Sequence, residues 1–257
     1  MKPILLVPMA GKGQRFIDEG FKIPKQFIKV GNHTMIEWSF KSFDWEDCEV
    51  IFIVRRDQIN NFKHFGDNAA WPSRSADTEL KKMFGDQIKI VVAEDETDGT
   101  VSSCLLAKQY INKDVPIGIT TLDVFFQPFF NLNKVDLSLD GCLLTVETNN
   151  PAYSYSQLDE NGLVIKTAEK EVISTHGNVG YYCFSRGSDF VKYGEAMISK
   201  NIRSKNEFYV APLYNLLIQD GLKINTHQIT NKYHMGTPHE LQEFMDNDFK
   251  KLNNEIW

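Results

Sequence analysis

The apolar run "ILLV", residues 4–7, turns directly into "PMAGKGQRF", residues 8–16. A short, uniformly apolar run reads as a central strand buried on both faces. A glycine-bearing turn after such a strand belongs at the carboxyl end of a parallel sheet, where open α/β sheets take their ligands. Comparable runs recur at residues 50–54, 88–92 and 115–121. Helical patterns separate them, at 35–43, around 57–65 and at 100–111. The alternation predicts a three-layer α/β/α fold around a mostly parallel, mixed sheet.

After Phe130 the texture changes. "CLLTVET", "AYSYSQL", "LVIKTAE" and "NVGYYCF" read as strands, the second and third joined by a turn at "DENG", residues 159–162. Helices are expected at about 188–198 and 208–219, then strand-like "KINTHQI". In "TPHEL", Thr237 is the expected N-cap, Pro238 the first helical residue and Glu240 the closing member of a capping box. No linker or repeat interrupts the chain. It reads as one domain over 1–257, with a first half to about 130 and a smaller, more mixed half from 131 onward.

With 257 residues and 42% hydrophobic content, the chain can bury a large core. A net charge of −6 is a poor match for nucleic acid or an anionic membrane surface, and neither is expected as a partner. Cys48, Cys104, Cys142 and Cys183 form no C-x-x-C, which points to free thiols in a reducing cytoplasm. The apolar start is too short for a signal peptide, and no stretch is long enough to span a membrane.

Three phosphate-binding loops can be tested against "PMAGKGQRF". A Walker A loop needs Gly-Lys-Ser/Thr after its spacer, whereas Lys12 lies between the glycines. A dinucleotide fingerprint needs a third glycine where Phe16 stands, and "VRRD" after the second strand is basic where an acid is needed. The third option uses more of the chain. Gly11 and Gly13 let backbone N–H groups approach an anion, Arg15 adds a bidentate donor, and Lys25 after Pro24 supplies a second cation.

These residues carry a resemblance. "MAGKGQRF…IPKQFIKVGNHTMIEW" resembles the signature of nucleotidyltransferases with a GT-A-like fold, the nucleotide-sugar pyrophosphorylases. The likeness continues through "DGTVSSCLLAK", "TLDVFF", "EKE", "GNVGYYCF", "EFYVAPLYNLLI" and "GTPHELQEF", nearly the whole chain. It implies in-line attack by a substrate phosphate on the α-phosphorus of a nucleoside triphosphate, releasing pyrophosphate. Such chemistry needs positioning and charge neutralisation more than acid–base groups.

The resemblance assigns Arg15 to the leaving pyrophosphate, Lys25 to the α-phosphate and Asp123 to a Mg²⁺ ion. Ala10, Gly11, Lys12 and Gly13 would face the triphosphate, although Lys12 also reads as an exposed lysine. Asp98, Gly99 and Thr100 would face the base, while Thr97 or Asp98 could simply cap the next helix. Glu169 and Lys170 would contact the sugar and its phosphate, unless they form a solvated charge cluster; Asn178 and Gly180 would line the same pocket. Family members usually carry a second metal-binding Asp where this chain has His234. The aromatic runs "YYCF" and "FYVAPLY" suit the core or a homodimer interface.

The implied substrates are a nucleoside triphosphate and a sugar 1-phosphate, for surface polysaccharide synthesis. Three alternatives stay open. "PKQFIKVGNHTMIEWSF" also resembles the cytidylyltransferases of methylerythritol phosphate and ribitol phosphate, although "SSCLLAK" and "TTLDVFFQP" depart from their pattern. A glycosyltransferase shares the broad fold, and a non-catalytic nucleotide-binding subunit would tolerate the missing second acid.

Overall fold

The computed structural model describes residues 2–59, 75–132 and 138–257. The first half runs β1 (Ile4–Pro8), α1 (Gln14–Asp18), a single 3-10 turn at Lys25–Phe27, β2 (Lys29–Val30), β3 (His33–Thr34), α2 (Met35–Phe40) and β4 (Glu49–Arg55). It continues with α3 (Arg56–Ile59), α4 (Ala76–Phe84), β5 (Lys89–Ala93), α5 (Thr100–Leu105), α6 (Lys108–Ile111), β6 (Ile117–Thr120) and β7 (Val124–Gln127). The second half holds β8 (Gly141–Glu147), β9 (Ser154–Leu158), β10 (Val164–Glu169), β11 (His176–Phe184), α7 (Gly187–Ser199) and α8 (Val210–Gln219). It closes with β12 (Ile224–Gln228), β13 (Asn231–His234), α9 (Pro238–Asn247) and α10 (Phe249–Ile256).

One nine-stranded sheet joins both halves, in the order β10-β9-β11-β6-β1-β4-β5, with β8 on β11 and β12 on β8. In the first half β6, β1, β4 and β5 are mutually parallel, as the apolar runs predicted. Antiparallel β11 then grafts the second half onto β6. Alternation within the strands explains the layers. Leu5, Val7, Phe52 and Val54 enter one core, and Ile4, Leu6, Ile51 and Ile53 enter a second on the opposite face. Each such buried side chain contributes roughly 1.5–3 kcal/mol.

A third core lies away from these two. It gathers Phe16, Ile28, Val30, Met35, Trp38, Phe125, Met235, Leu241, Phe244 and Leu252. Its frame is a separate two-stranded ribbon, antiparallel β7 with β13, which pairs Val124 with His234 and Phe126 with Lys232.

Several local expectations change. The helix expected over 35–43 stops at Phe40, because Ser42 accepts the Phe126 N–H and bonds Phe130, pulling the chain toward β7. The helix expected over 100–111 breaks at Leu106 and Ala107, whose N–H groups bond three residues back, to Ser103 and Cys104. The helix expected around 57–65 is described only as Arg56–Ile59; the remainder lies outside the described residues. At α9, Thr237 caps the Glu240 N–H and Pro238 opens the helix, but the Glu240 carboxylate does not return to close the box. A complete capping box forms instead at Thr34 and Glu37, opening α2.

The cysteines are free thiols, with Cys104, Cys142 and Cys183 buried. Tyr181, Cys183 and Phe184 of "YYCF" are core residues, as are Phe208 and Val210. Among the described residues no helix is long and apolar enough to cross a membrane.

Candidate active site

The glycine turn follows β1 at the carboxyl end of the parallel strands, as expected. Gly13 has φ +66, so the turn needs its backbone freedom, and a Cβ built on it would lie in ordinary contact with the Lys25 chain at 3.6 Å. Gly11 faces open space. A residue that sequence reasoning missed supports the turn. Arg55, only 7% exposed, donates to the Ala10 carbonyl at 2.9 Å and grips Asp57 with two bonds of 2.6 and 2.7 Å. The basic "VRRD" therefore includes a buttress for the turn. Lys12 reaches across to Glu96 at 2.6 Å, with both side chains half exposed.

Lys25 donates to Asp123 Oδ2 at 2.7 Å. Asp123 follows β6, and its backbone carbonyl accepts the Met235 N–H at 2.8 Å, which ties the loop to the C-terminal ribbon. Burial alone would raise the Asp123 carboxyl; Lys25 first, then Lys232 and His234, hold it down at about 2. It is ionised at neutral pH. A Cβ on Gly236 would come within 2.9 Å of Asp123 Oδ2, so this glycine leaves the room that the carboxylate occupies.

A cavity of about 570 Å³ opens on one side of this pair, lined by Ala10, Gly11, Lys25, Asp98, Gly99, Thr100 and Asp123. Gly99 has φ +122, and a Cβ there would meet the Phe208 nitrogen at 2.6 Å. The segment is stapled in place by Phe208 N–H to the Asp98 carbonyl, Val101 N–H to the Phe208 carbonyl, and Arg203 to Asp98 at 2.8 Å. Neither Thr97 nor Asp98 caps α5: Gly99 is the N-cap, without a side-chain bond. Thr97 bonds Ser103 instead. Gln26, 3% exposed and lining this cavity, has an amide nitrogen with no hydrogen-bond partner among the described residues. A buried donor without a partner is a costly feature that a ligand can satisfy.

A second cavity, about 350 Å³, lies on the other side of Asp123 and brings together Arg15, Glu169, Lys170, Asn178, Gly180 and Lys232. Arg15 is an exposed residue of α1 that also lines a groove with Gly13, Lys25 and Asp123. Burial pushes the Glu169 carboxyl up to about 7, against the pull of Lys170, and Glu207 adds to the rise. Lys170, with φ 55, donates to the Tyr209 hydroxyl at 3.1 Å. Asn178 is tied into the wall: it accepts from Ser156 at 2.8 Å and donates to Ser154 at 3.1 Å. Gly180 has φ +85 and accepts the Thr121 N–H at 2.9 Å; a Cβ there would meet the Thr121 hydroxyl at 2.5 Å. Its role is thus close approach of β11 to the Asp123 loop.

His234 is turned to the Tyr153 hydroxyl through Nε2. Burial and then Lys232 depress its pKa to about 4, against Asp123, so the ring is neutral at neutral pH. Among the described residues no group of three acids, histidines or cysteines could cage a metal. Mg²⁺, however, commonly takes one or two carboxylates and completes its shell with substrate phosphates and water. Asp123 fits that mode: it is ionised, its Oδ2 is shared with Lys25, and it borders both cavities.

No family model matches the chain. A nucleoside-diphosphate-sugar pyrophosphorylase from Vibrio cholerae RC9 is 27% identical, over 95% of this chain and 100% of that one, with a TM-score of 0.79. The inositol-1-phosphate CTP transferase of T. maritima, 12% identical over 96% of this chain and 97% of its own, shares the fold with a TM-score of 0.69. In sequence, the chain is 24% identical over 223 residues to the 2-C-methyl-D-erythritol 4-phosphate cytidylyltransferase of Petrotoga mobilis, covering 84% of this chain and 88% of that one. Fold and relatives define the class: this is an enzyme of the nucleotidyltransferase type. The likenesses fall on both sides of the choice between sugar phosphates and other phosphorylated acceptors.

Proposed function

We propose that the enzyme transfers a nucleoside monophosphate from a nucleoside triphosphate to a sugar 1-phosphate, releasing pyrophosphate and forming a nucleotide sugar for surface polysaccharide synthesis in the cytoplasm. The observation that carries this reading is the position of Asp123. It lines the 570 Å³ cavity, the Arg15 groove and the second cavity at once, with Lys25 bound to it. A reaction between two phosphorylated molecules needs such a shared, charge-bearing wall.

In this reading the base lies against Asp98, Gly99 and Thr100, and the phosphates run along Ala10, Gly11, Lys12 and Gly13. Arg15 binds the leaving pyrophosphate. Lys25 neutralises the α-phosphate as charge builds, an electrostatic role that needs no proton transfer. Asp123 would hold Mg²⁺, which supplies charge neutralisation at the phosphates. Glu169 and Lys170 orient the acceptor, while Asn178 and Gly180 shape its wall. We take 1–257 as one domain, its halves serving nucleotide and acceptor. A second reading keeps the same first half with a phosphorylated alditol as acceptor, and the likeness to the erythritol-phosphate cytidylyltransferase favours it.

Thermal unfolding with Mg²⁺ and each of CTP, UTP, dTTP, GTP and ATP tests the nucleotide half. A ligand at one hundred times its Kd stabilises the fold by about 2.7 kcal/mol. A raised midpoint with one triphosphate, lost in Arg15→Ala, is expected. No shift with any triphosphate would overturn the reading. Pyrophosphate release with glucose 1-phosphate or ribitol 5-phosphate then separates the two acceptors.

A further inference from the structure

Lys232 is a cation without a protein anion to hold. It projects from β13 into the second cavity, with its side chain only partly open to solvent. Among the described residues its ammonium makes no ion pair and no hydrogen bond; its contact is the face of the Tyr153 ring, 4.0 Å away. Of the other cations nearby, Arg15 is exposed on α1 and is assigned above to the pyrophosphate, and three more are committed. Lys25 is bound to Asp123, Lys12 to Glu96, and Lys170 to the Tyr209 hydroxyl. Lys170 also stands exposed at the rim, whereas Lys232 lies close enough to Asp123 for each to act on the other's charge. Burial pulls the Lys232 ammonium down to about 7, against Asp123 and Glu240. An arriving anion favours its charged form.

A desolvated ammonium over an aromatic face is partly stabilised, yet it still lacks the acceptors its N–H groups need. An anion small enough to enter beside Asp123 would supply those acceptors. We propose that Lys232 binds the phosphate of the acceptor, holding it on the side of Asp123 opposite Lys25. This rests on the reading above, in which the second cavity takes the acceptor. Lys170, expected from sequence to contact that phosphate, then becomes a rim residue beside the rest of the acceptor. His234, at the position usually held by a second acid, works as a neutral neighbour. An acid there would compete with the phosphate for Lys232.

The arrangement makes chemical sense. A phosphate monoester attacking an α-phosphate must approach another anion, and a fixed cation on its own side reduces the repulsion. Lysine suits this position as a compact charge on a flexible stem.

The test compares Lys232→Met, Lys232→Arg and Lys170→Met with the wild type. Calorimetry would follow inorganic phosphate and glucose 1-phosphate binding to protein saturated with the triphosphate found above, as its α,β-methylene analogue. If no triphosphate binds, the same titrations are run on the free protein. Lys232→Met is expected to weaken inorganic phosphate binding at least tenfold and Lys232→Arg to retain most of it. Lys170→Met should change glucose 1-phosphate binding more than phosphate binding. The triphosphate-induced rise in midpoint should survive in Lys232→Met, which also reports that the variant is folded. Phosphate binding unchanged in Lys232→Met, or absent in the wild type, would overturn the assignment. Failure of the nucleotide reading appears separately, as no midpoint shift in the wild type.

Discussion

The two cavities flanking Asp123 are built on different terms. On the glycine-turn side, charged groups are already partnered: Lys12 with Glu96, Asp98 with Arg203, Arg55 with Asp57 and the Ala10 carbonyl. The turn and the Gly99 segment are fixed by backbone geometry and close approach. On the other side, burial has displaced titrations, to about 7 for Glu169 and about 4 for His234, and Lys232 has only a ring among the described residues. In the proposed reading, the first side is preset for a ligand read by backbone, and the second keeps polar capacity for a ligand whose own groups complete it.

The sharpest test of the shared wall is Asp123→Ala or Lys25→Ala. Either should lower turnover by ~10²-fold or more, as loss of fixed transition-state electrostatics does. Near-normal pyrophosphate release from both variants would remove the pair from the centre of the comparison. Next comes the claim that the first cavity is preset. Gly99→Ala combines a positive φ with a 2.6 Å approach to Phe208, and should cost about 2–4 kcal/mol in denaturant unfolding. A loss below about 0.5 kcal/mol, within the range of ordinary surface changes, would mean that this segment adapts.

A smaller effect is expected from Glu169, which faces Lys170 and Glu207. Its folded-state pKa of about 7 stands above its unfolded value of about 4.3. Between those values the unfolded chain releases a proton that the folded chain retains. Stability should therefore fall as pH rises across that window, and Glu169→Gln should flatten the slope. An unchanged slope would move the uncommitted charge elsewhere in the second cavity. Least is expected of Lys12→Ala. Its ion pair is half exposed, so stability should change by less than about 0.5 kcal/mol.

Local signals carried much of this structure. The strand-turn unit at residues 4–16, the parallel strands and the DENG hairpin are each encoded within a few neighbouring residues, and each formed. Arg15, Lys25 and Asp123 could be singled out because their motifs are contiguous, and all three border connected space. Features that depend on distant partners were not visible. The β7–β13 ribbon joins strands more than one hundred residues apart, about which neither short segment carries periodicity. Arg55 reads in sequence only as part of the basic "VRRD", because its partner is a carbonyl in another loop. Lys232 looked ordinary because only the ribbon turns it into the cavity. Helix lengths failed where a tertiary bond outcompeted the local pattern, as Ser42 does at the end of α2.

The third core has a mechanical meaning. Phe16 follows Arg15, Ile28 follows the Lys25 turn, Phe125 lies two residues beyond Asp123, and Met235 sits between Lys232 and Gly236; all four side chains share this one cluster. Close-packed interiors resist compression and move as units. The charged groups are thus mounted on a common chassis, bolted beside the great sheet rather than threaded through it. One packed cluster thereby sets the spacing among charges that come from four separate stretches of the chain.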